Sequence, residues 1–264
     1  LSPKDRRLPY NVGNLYFHQG QFERAIEYFS KAIEISPGYR LAHGSLSLAY
    51  NQADQADLGF YHAQLFRLSG GRDQSVDRVV VDGLVRVGNE YVAGGDLESA
   101  IRAWEKGMQI DSSYVNLYVN LGSAYYQQGN LNRAEDVWTQ GRKRFSNHQD
   151  LSFNLAVVYE AQSRWEEAVL SYQKAVDLKP SDILTYLRLA NVWQRRRRFD
   201  EAVDVLKQAL LMAPQNADLW ARLATAYEAS GNRTGALEAL ETASKLEPDG
   251  EVFQARLQAL REAH

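Results

Sequence analysis

The stretch "NLGSAYYQQGN", Asn120 to Asn130, decides the fold of this chain. Its apolar and aromatic residues recur at helical spacing, yet Gly122 lies in the middle of the expected helix and Gly129 follows seven residues later. Glycine inside a helix costs about 1 kcal/mol relative to alanine. A helix that keeps such a residue needs a compensating reason, and the rest of the chain supplies one.

The same pattern returns along the chain at a constant interval. Alanine stands at residues 100, 134, 168, 202 and 236, which are 34 residues apart. In a 34-residue frame, position 7 is always aliphatic, position 8 is always Gly, Ala or Ser, and position 11 is always aromatic. The aromatic residues are Tyr16, Tyr50, Tyr91, Tyr125, Tyr159, Trp193 and Tyr227. Three columns without exception over seven units establish an internal repeat.

Each unit is predicted to fold as two helices joined by a tight turn. Glycine falls at position 15 in several units, where a helix end favours a left-handed residue; these are Gly20, Gly95, Gly129 and Gly231. Gly122, at position 8, is interpreted as a packing residue. Small residues at positions 8 and 20 allow paired helices to approach to the low end of the usual ~8–10 Å separation.

These motifs resemble the tetratricopeptide repeat. The family pattern is visible in "YVNLGSAYYQQGNLNRAEDVW" and in "LWARLATAYEASGNRTGALEAL". The resemblance implies an all-α protein, a right-handed α-solenoid of about seven helix-turn-helix units followed by a C-terminal capping helix.

The frame also predicts the organisation of the chain. Residues 1–5 are expected to end a preceding repeat, because "LSP" at the start resembles the end of a unit, so we expect the natural protein to continue upstream. The array covers 6–250 and a capping helix covers 251–264, with Phe253, Leu257 and Leu260 facing inward and Arg256, Arg261 and Glu262 in water. The repeats are expected at 6–39, 40–73 with an insertion to 80, 81–114, 115–148, 149–182, 183–216 and 217–250.

Two departures from the frame carry expectations of their own. The repeat at 40–73 has Gly59, Ala63 and Phe66 in place of the usual small-large-small order. The extra residues around "GGRDQSVDR" predict a lengthened first helix in the repeat that follows.

The resemblance implies that the first helix of each repeat lines a concave groove, through positions near 2, 5, 6, 9, 12 and 13. Asparagine and arginine recur there beside aromatic residues. Asparagine is unfavourable inside helices, and its carboxamide offers a donor and an acceptor that match one peptide unit of an extended chain. The pattern therefore predicts a peptide-binding groove. Its residues are Asn11, Asn14, Arg86, Asn89, Asn120, Tyr126, Phe153, Asn154, Arg188, Asn191 and Arg222.

Alternatives stay open for these residues. In the alternative interpretation, the asparagines are tolerated surface residues, or they bond to the adjacent helix. The run Arg195 to Arg198, together with Arg188 and Arg222, forms either a basic subsite for an acidic partner segment or a solvated turn. The two-carboxylate clamp of some family members is not matched, since Tyr10, Asn14, Ser45, Asp82 and Arg86 agree with it at only two of five positions.

Composition narrows the function classes. The net charge is −3 with both signs interspersed, which offers no field for nucleic acid or an anionic membrane. No apolar run approaches the ~18–20 residues of a membrane span, and the chain has no cysteine. The histidines are scattered without ligand spacing, at His18, His43, His62, His148 and His264. We expect no catalysis, no metal and no cofactor.

We therefore expect a non-catalytic scaffold or adaptor for protein–protein interaction that binds a polypeptide segment in its groove. Two rivals remain. In the first, the chain is the recruitment module of a larger enzyme or of a secretion or exopolysaccharide assembly. In the second, it self-assembles into a homo-oligomer through its terminal repeats.

Overall fold

The computed structural model describes residues 5–248 and 250–262. The expected end of a preceding repeat therefore lies, apart from Asp5, outside the described residues. The described residues form fifteen helices and no strand. The helices are α1 (Arg7–His18), α2 (Phe22–Ile35), α3 (Arg40–Gln52), α4 (Ala56–Leu68), α5 (Gln74–Ala93), α6 (Leu97–Ile110), α7 (Val115–Gln127), α8 (Leu131–Arg144), α9 (Gln149–Ala161), α10 (Trp165–Leu178), α11 (Ile183–Arg195), α12 (Phe199–Met212), α13 (Ala217–Ala229), α14 (Arg233–Leu246) and α15 (Glu251–Glu262).

The chain divides into two compact units, Leu1–Ala124 and Tyr125–His264. In the first unit the helices pack in sequence, from α1 on α2 to α5 on α6, and α3 also contacts α1 and α5. In the second unit the helices also pack in sequence, from α8 on α9 to α14 on α15. These neighbour contacts confirm the all-α fold of repeated helix hairpins. The division within α7 was not indicated by the sequence.

The tight turn inside each hairpin depends on one left-handed residue. At position 15, Gly20, Gly95, Gly129 and Gly231 have φ of 72°, 82°, 76° and 79°. The other three repeats place Asp54, Ser163 and Arg197 there, at 56°, 60° and 58°. In every hairpin the amide at position 16 donates to the carbonyl of the position-11 aromatic residue at 2.8–2.9 Å. This bond closes a Schellman motif, so the predicted cap is confirmed.

The small residue at position 8 makes room for a large side chain on the second helix. A Cβ added to Gly88 would lie 2.2 Å from Trp104 Nε1, and one added to Gly13 would lie 2.6 Å from the Phe29 ring. Both rings are buried. The packing role predicted for position 8 is confirmed at these two residues, and for Gly122 it stays a prediction.

The atypical repeat at 40–73 solves the same packing problem with a shifted register. Its large residue is Phe66, three residues later than the usual large position, and the ring lies against Gly44 instead of position 8. A Cβ on Gly44 would stand 2.9 Å from that ring. The ring also lies against Gly71, where an added Cβ would stand 2.5 Å away, so two glycines make room for this one large side chain.

The insertion and the tail agree with expectation in part. Helix α5 has 20 residues, against 12 or 13 in the other first helices of the repeats, and its added turns bury Val76, Val79 and Val80. In α15, Leu257 and Leu260 pack on the core of the second unit. Arg256, which was expected in water, is 35% exposed and also bonds to Thr225 and Glu228.

Candidate binding face

The predicted groove residues lie on the first helices of the repeats, and we call positions 5, 6, 9 and 12 of α1, α3, α5, α7, α9, α11 and α13 the first-helix face. Position 6 of one repeat comes close to positions 9 and 12 of the repeat before it. In the first unit, Asn120 Nδ2 donates to Asn89 Oδ1 at 3.0 Å. In the second unit, Arg188 Nη1 is 4.0 Å from Glu160 Oε2. Within each unit, side chains from successive repeats therefore share one surface.

In the first unit this face is built of amides and rings. Asn11 is exposed and Asn14 half-buried, and the Tyr10 ring lies 5.2 Å from Tyr39 and 5.7 Å from Phe29. Ser45 Oγ is 3.5 Å from Tyr10 Oη. This end of the face can offer free carboxamides beside an aromatic surface.

Three of the predicted residues in the first unit are already engaged. Asn89 and Asn120 bond to each other, so this pair follows the alternative in which an amide serves the adjacent helix. Arg86 pairs with Asp57 at 2.5 Å and with Glu90 at 3.0 Å. Each amide of the asparagine pair keeps one unused donor or acceptor group.

In the second unit the face carries charges and rings. Tyr126 and Phe153 are half-buried, with ring centroids 6.2 Å from Trp138 and 5.6 Å from Tyr172, respectively. Asn154 is half-buried and Asn191 exposed. Within the described part of the chain no hydrogen bond of their side chains is found, and the same holds for Asn11 and Asn14. These four asparagines are thus open to an external partner.

A buried tyrosine orders one carboxylate of this face. Tyr172 Oη donates to Glu160 Oε2 at 2.9 Å, and the Glu160 side chain is only 14% exposed. Burial, and next the charge of Glu160, raise the pKa of Tyr172 far above its usual range, so its hydroxyl remains a donor.

Position 12 was largely missed by sequence reasoning. Glu160, Gln194 and Glu228 occupy it in the second unit, each 28 residues before an arginine at position 6 of the following element. These arginines are Arg188, Arg222 and Arg256. Reading the chain at an interval of 28, in addition to 34, would have identified these pairs.

A small cavity opens on this face between α11, α12 and α13. Its volume is about 90 Å³, and its polar lining comes from Asn191, Gln194, Arg222 and Thr225. Arg222 Nε lies 2.7 Å from Asp218 Oδ2, one turn earlier on its own helix.

The arginine run behaves mostly as a solvated turn. Arg196 pairs with Glu166 and Arg198 with Glu201, and both guanidinium groups lie 5.6 Å from the centre of the Trp193 ring. Carboxylates therefore neutralise two of the four charges, which weakens the interpretation as a basic subsite.

Two of the scattered histidines, His43 and His62, meet in the structure. His43 Nδ1 lies 2.9 Å from His62 Nδ1, and His43 Nε2 lies 2.8 Å from the Pro37 carbonyl. Because a carbonyl only accepts, His43 carries its proton on Nε2, and His62 donates to His43 Nδ1. Burial, and next the electrostatic effect of the neighbouring His43 ring, lower the pKa of His62 to about 4. Among the described residues no group of three or more His, Asp or Glu could hold a metal ion.

A larger polar cavity, about 600 Å³, lies between the inserted turns of α5 and the loop before α7. Gln74, Arg78, Asp111 and Tyr114 are among its lining residues. It lies apart from the positions that form the first-helix face.

Comparison with known proteins agrees with this architecture. Three family models described as tetratricopeptide repeat match residues 10–39, 119–183 and 194–263, and a fourth, described as TPR repeat, matches 88–129. The chain belongs to the tetratricopeptide repeat family. In the described part of this tetratricopeptide array, no helix is both long and apolar enough to cross a membrane.

Similarity to individual proteins is distant or local. Human tetratricopeptide repeat protein 6 is 49% identical over 37 residues, which is 14% of this chain and 7% of that protein. The C-terminal part of a TPR repeat-containing protein from Cytophaga hutchinsonii superposes with a TM-score of 0.62 at 16% identity, over 93% of this array and 98% of that chain.

Two further solved structures share the fold. YrrB, described as a TPR protein with an unusual peptide-binding site, gives a TM-score of 0.53 at 19% identity, over 87% of this chain and 97% of its own. MamA gives 0.58 at 21% identity, over 64% and 92%. At these identities the likeness establishes the fold of the tetratricopeptide array alone.

Proposed function

We propose that this chain is a protein-interaction scaffold whose first-helix face holds an extended polypeptide segment. Membership of the tetratricopeptide repeat family supports the scaffold role, since proteins of this family are generally interaction modules. The description of YrrB as having a peptide-binding site offers a precedent within the same fold.

The observation that carries the proposal is the set of free carboxamides on this face. Asn11, Asn14, Asn154 and Asn191 have no hydrogen-bond partner within the described chain, although asparagine is disfavoured inside helices. Each amide can pair with one peptide unit. Packed helices lie ~8–10 Å apart, which is about three residues of an extended chain at ~3.3 Å each. Asn154 of α9 and Asn191 of α11, which lie on successive first helices, therefore suit the backbone of a bound segment.

The test uses the whole chain as bait for a library of random displayed twelve-residue peptides. Selected peptides are then titrated against two double variants, Asn11→Ala with Asn14→Ala and Asn154→Ala with Asn191→Ala. A lost hydrogen bond is worth ~0.5–1.5 kcal/mol, so at least one double variant should bind about ten-fold more weakly. Asn132→Ala, an exposed helical asparagine on α8, is the matched control. Full affinity in both double variants would place binding elsewhere.

Self-association through the first hairpin is a second candidate function, favoured by one observation. Leu8 and Leu15 of α1 are 51% and 63% exposed. They stand at positions 3 and 10, which are at most 2% exposed in the repeats that begin at 40, 115, 149, 183 and 217. These leucines therefore present the surface that packs against a neighbouring hairpin elsewhere in the array.

Light scattering across a hundred-fold concentration range tests this candidate. A dimer that Leu8→Glu with Leu15→Glu converts to a monomer supports it. A wild-type protein that stays monomeric throughout rejects it.

A further inference from the structure

The outer face of α4 differs in composition from that of the other second helices. Positions 19, 22, 26 and 29 of each repeat lie on this face. In α4 these residues, which we call the α4 stripe, are Leu58, Tyr61, Leu65 and Leu68. In the other six repeats the same positions hold polar or charged residues, interrupted only by Leu170, Leu211 and Gly235. The apolar stripe is therefore a property of this one repeat and not of the 34-residue pattern.

The α4 stripe faces solvent and is not part of the core of its own hairpin. Leu58, Tyr61 and Leu68 are 44%, 56% and 83% exposed, and Leu65 is half-buried. The buried side of the helix is formed by other residues, including Phe66. Contiguous exposed apolar residues of this kind mark interaction surfaces. The stripe is thus available to a partner.

The spacing of the stripe indicates that the partner is a helix. Its four residues follow one another at intervals of three, four and three, which is the seam of a helix that packs against another helix with the same spacing. The seam covers about 15 Å of helix, at ~1.5 Å for each residue. A helix with a matching seam would bury it along its whole length.

Charges at the two ends of the stripe favour a second copy of this chain as the partner. Asp54 lies four residues before Leu58, and Arg72 lies four residues after Leu68. Both charged residues are exposed, and in the part of the chain that the structure describes neither forms an ion pair. Two antiparallel copies of α4 would bring Asp54 of each copy to Arg72 of the other. A parallel pair would instead place like charges together.

We propose that the chain forms a two-fold symmetric dimer in which the α4 stripes of two copies pack antiparallel. Leu58 of each copy packs on Leu68 of the second copy, and Tyr61 packs on Leu65. Such an interface uses the same surface on both copies and closes at two. Four side chains form a small interface beside the ~800 Å² per partner of standard complexes, so the dimer should dissociate at micromolar concentration. The inference does not rest on the proposed function, because the stripe lies apart from the first-helix face.

Sedimentation equilibrium of the whole chain, over a several-hundred-fold range around micromolar concentration, tests the dimer. Tyr61→Glu places a charge in both halves of the interface and should weaken the dimer about ten-fold or more. Leu170→Glu is the matched control, since it changes position 22 of α10, where the leucine is 71% exposed. It should leave the dimer unchanged, as should Leu8→Glu with Leu15→Glu, which tests the first hairpin.

Charge reversal tests the ends of the interface. Asp54→Arg alone and Arg72→Asp alone should each weaken the dimer several-fold, and the two changes together should restore it. Arginine is compatible with the left-handed backbone at residue 54, because Arg197 adopts φ of 58° at the same position of its own repeat, close to the 56° of Asp54.

The orientation is tested with cysteines, since the chain has none of its own. A mixture of Leu58→Cys and Leu68→Cys chains should form an intermolecular disulfide under mild oxidation. Each variant alone should form far less, because antiparallel pairing keeps its two thiols at opposite ends of the seam.

A wild-type chain that stays monomeric over the whole range would overturn the inference. So would a dimer that persists unchanged in Tyr61→Glu protein whose fold is verified by circular dichroism; if that variant does not fold, failure of the double charge reversal to restore the dimer decides in the same way. A dimer lost only in Leu8→Glu with Leu15→Glu would locate the contact at the first hairpin. Cross-linking of Leu58→Cys alone as fast as the mixture would overturn the antiparallel pairing.

Discussion

Ser163 shows at the scale of one residue how the repeat limits its own stability. Its φ of 60° is a left-handed conformation that glycine adopts in four other hairpins of the array. A non-glycine residue in this conformation is disfavoured by ~1–2 kcal/mol. Replacement by glycine removes this cost in the folded state, but it also raises the entropy of the unfolded chain, which offsets part of the gain in stability.

Ser163→Gly should therefore stabilise the protein by about 0.5–1 kcal/mol. Thermal unfolding followed by circular dichroism measures the change. Ser146→Gly, in an exposed turn without positive φ, is the control and should be slightly destabilising. An equal decrease in the melting temperature of both variants would contradict the role given to the left-handed residue.

His62 makes a second prediction at this scale. Its pKa of about 4 in the folded protein is below the ~6.5 of an unfolded histidine. The folded state thus favours the neutral ring, and this contribution is present above pH ~6.5 and lost as the pH falls toward 4.

Urea unfolding between pH 4 and 7 should show a loss on the order of 1–2 kcal/mol, reduced by the partial exposure of the ring. His62→Asn can still donate to His43, and should flatten this pH dependence. His18→Asn, an exposed residue of α1, should leave the dependence as in wild type. A flat profile in the wild-type protein would be inconsistent with a buried, neutral His62 ring.

At the scale of the element, the decisive contact joins position 8 of the first helix to a large side chain of the second. A methyl group on Gly88 would collide with Trp104 at 2.2 Å. Overpacking of this kind usually costs ~1–3 kcal/mol, more than the ~1 kcal/mol that alanine gains in helix propensity.

Gly88→Ala should therefore destabilise the protein by about 1–2 kcal/mol despite the better helix former. Chemical denaturation provides the measurement. Gly38→Ala is the matched control, since a Cβ there meets nothing within 4 Å and φ is not positive. Stabilisation by Gly88→Ala would show that the glycine is not needed for packing.

Much of this element-level structure was predictable because the repeat enforces it in every unit. The cap glycines, the packing glycines and the longer α5 followed from column positions and from the insertion. The exchange of Phe66 against Gly44 was not predictable, since it breaks the columns and restores packing through neighbours in space.

The site was predictable in position but not in bonding. The repeat frame located the polar face, but it could not reveal that Asn89 and Asn120 bond to each other. The His43–His62 pair was missed because it links two helices at an irregular separation of 19 residues. Which of several available partners a side chain bonds to depends on the positions of its atoms in space, and the periodic pattern of the sequence does not specify those positions.

At the scale of the whole molecule, the two compact units present first-helix faces of different chemistry. The face of the first unit is built of amides and aromatic rings, whereas that of the second carries arginines alternating with acidic or amide partners. Arg188, Arg222 and Arg256 each lie within 4.0 Å of a carboxylate of the same unit.

The central claim, that first helices hold the partner, is tested most directly by photo-crosslinking a selected peptide and mapping the products by mass spectrometry. A benzophenone residue placed along the peptide should react at positions 5, 6, 9 and 12 of α9, α11 and α13, or of α1, α3 and α5, and free peptide should compete. Products concentrated on the second helices α10, α12 and α14, or on the turns, would contradict the account.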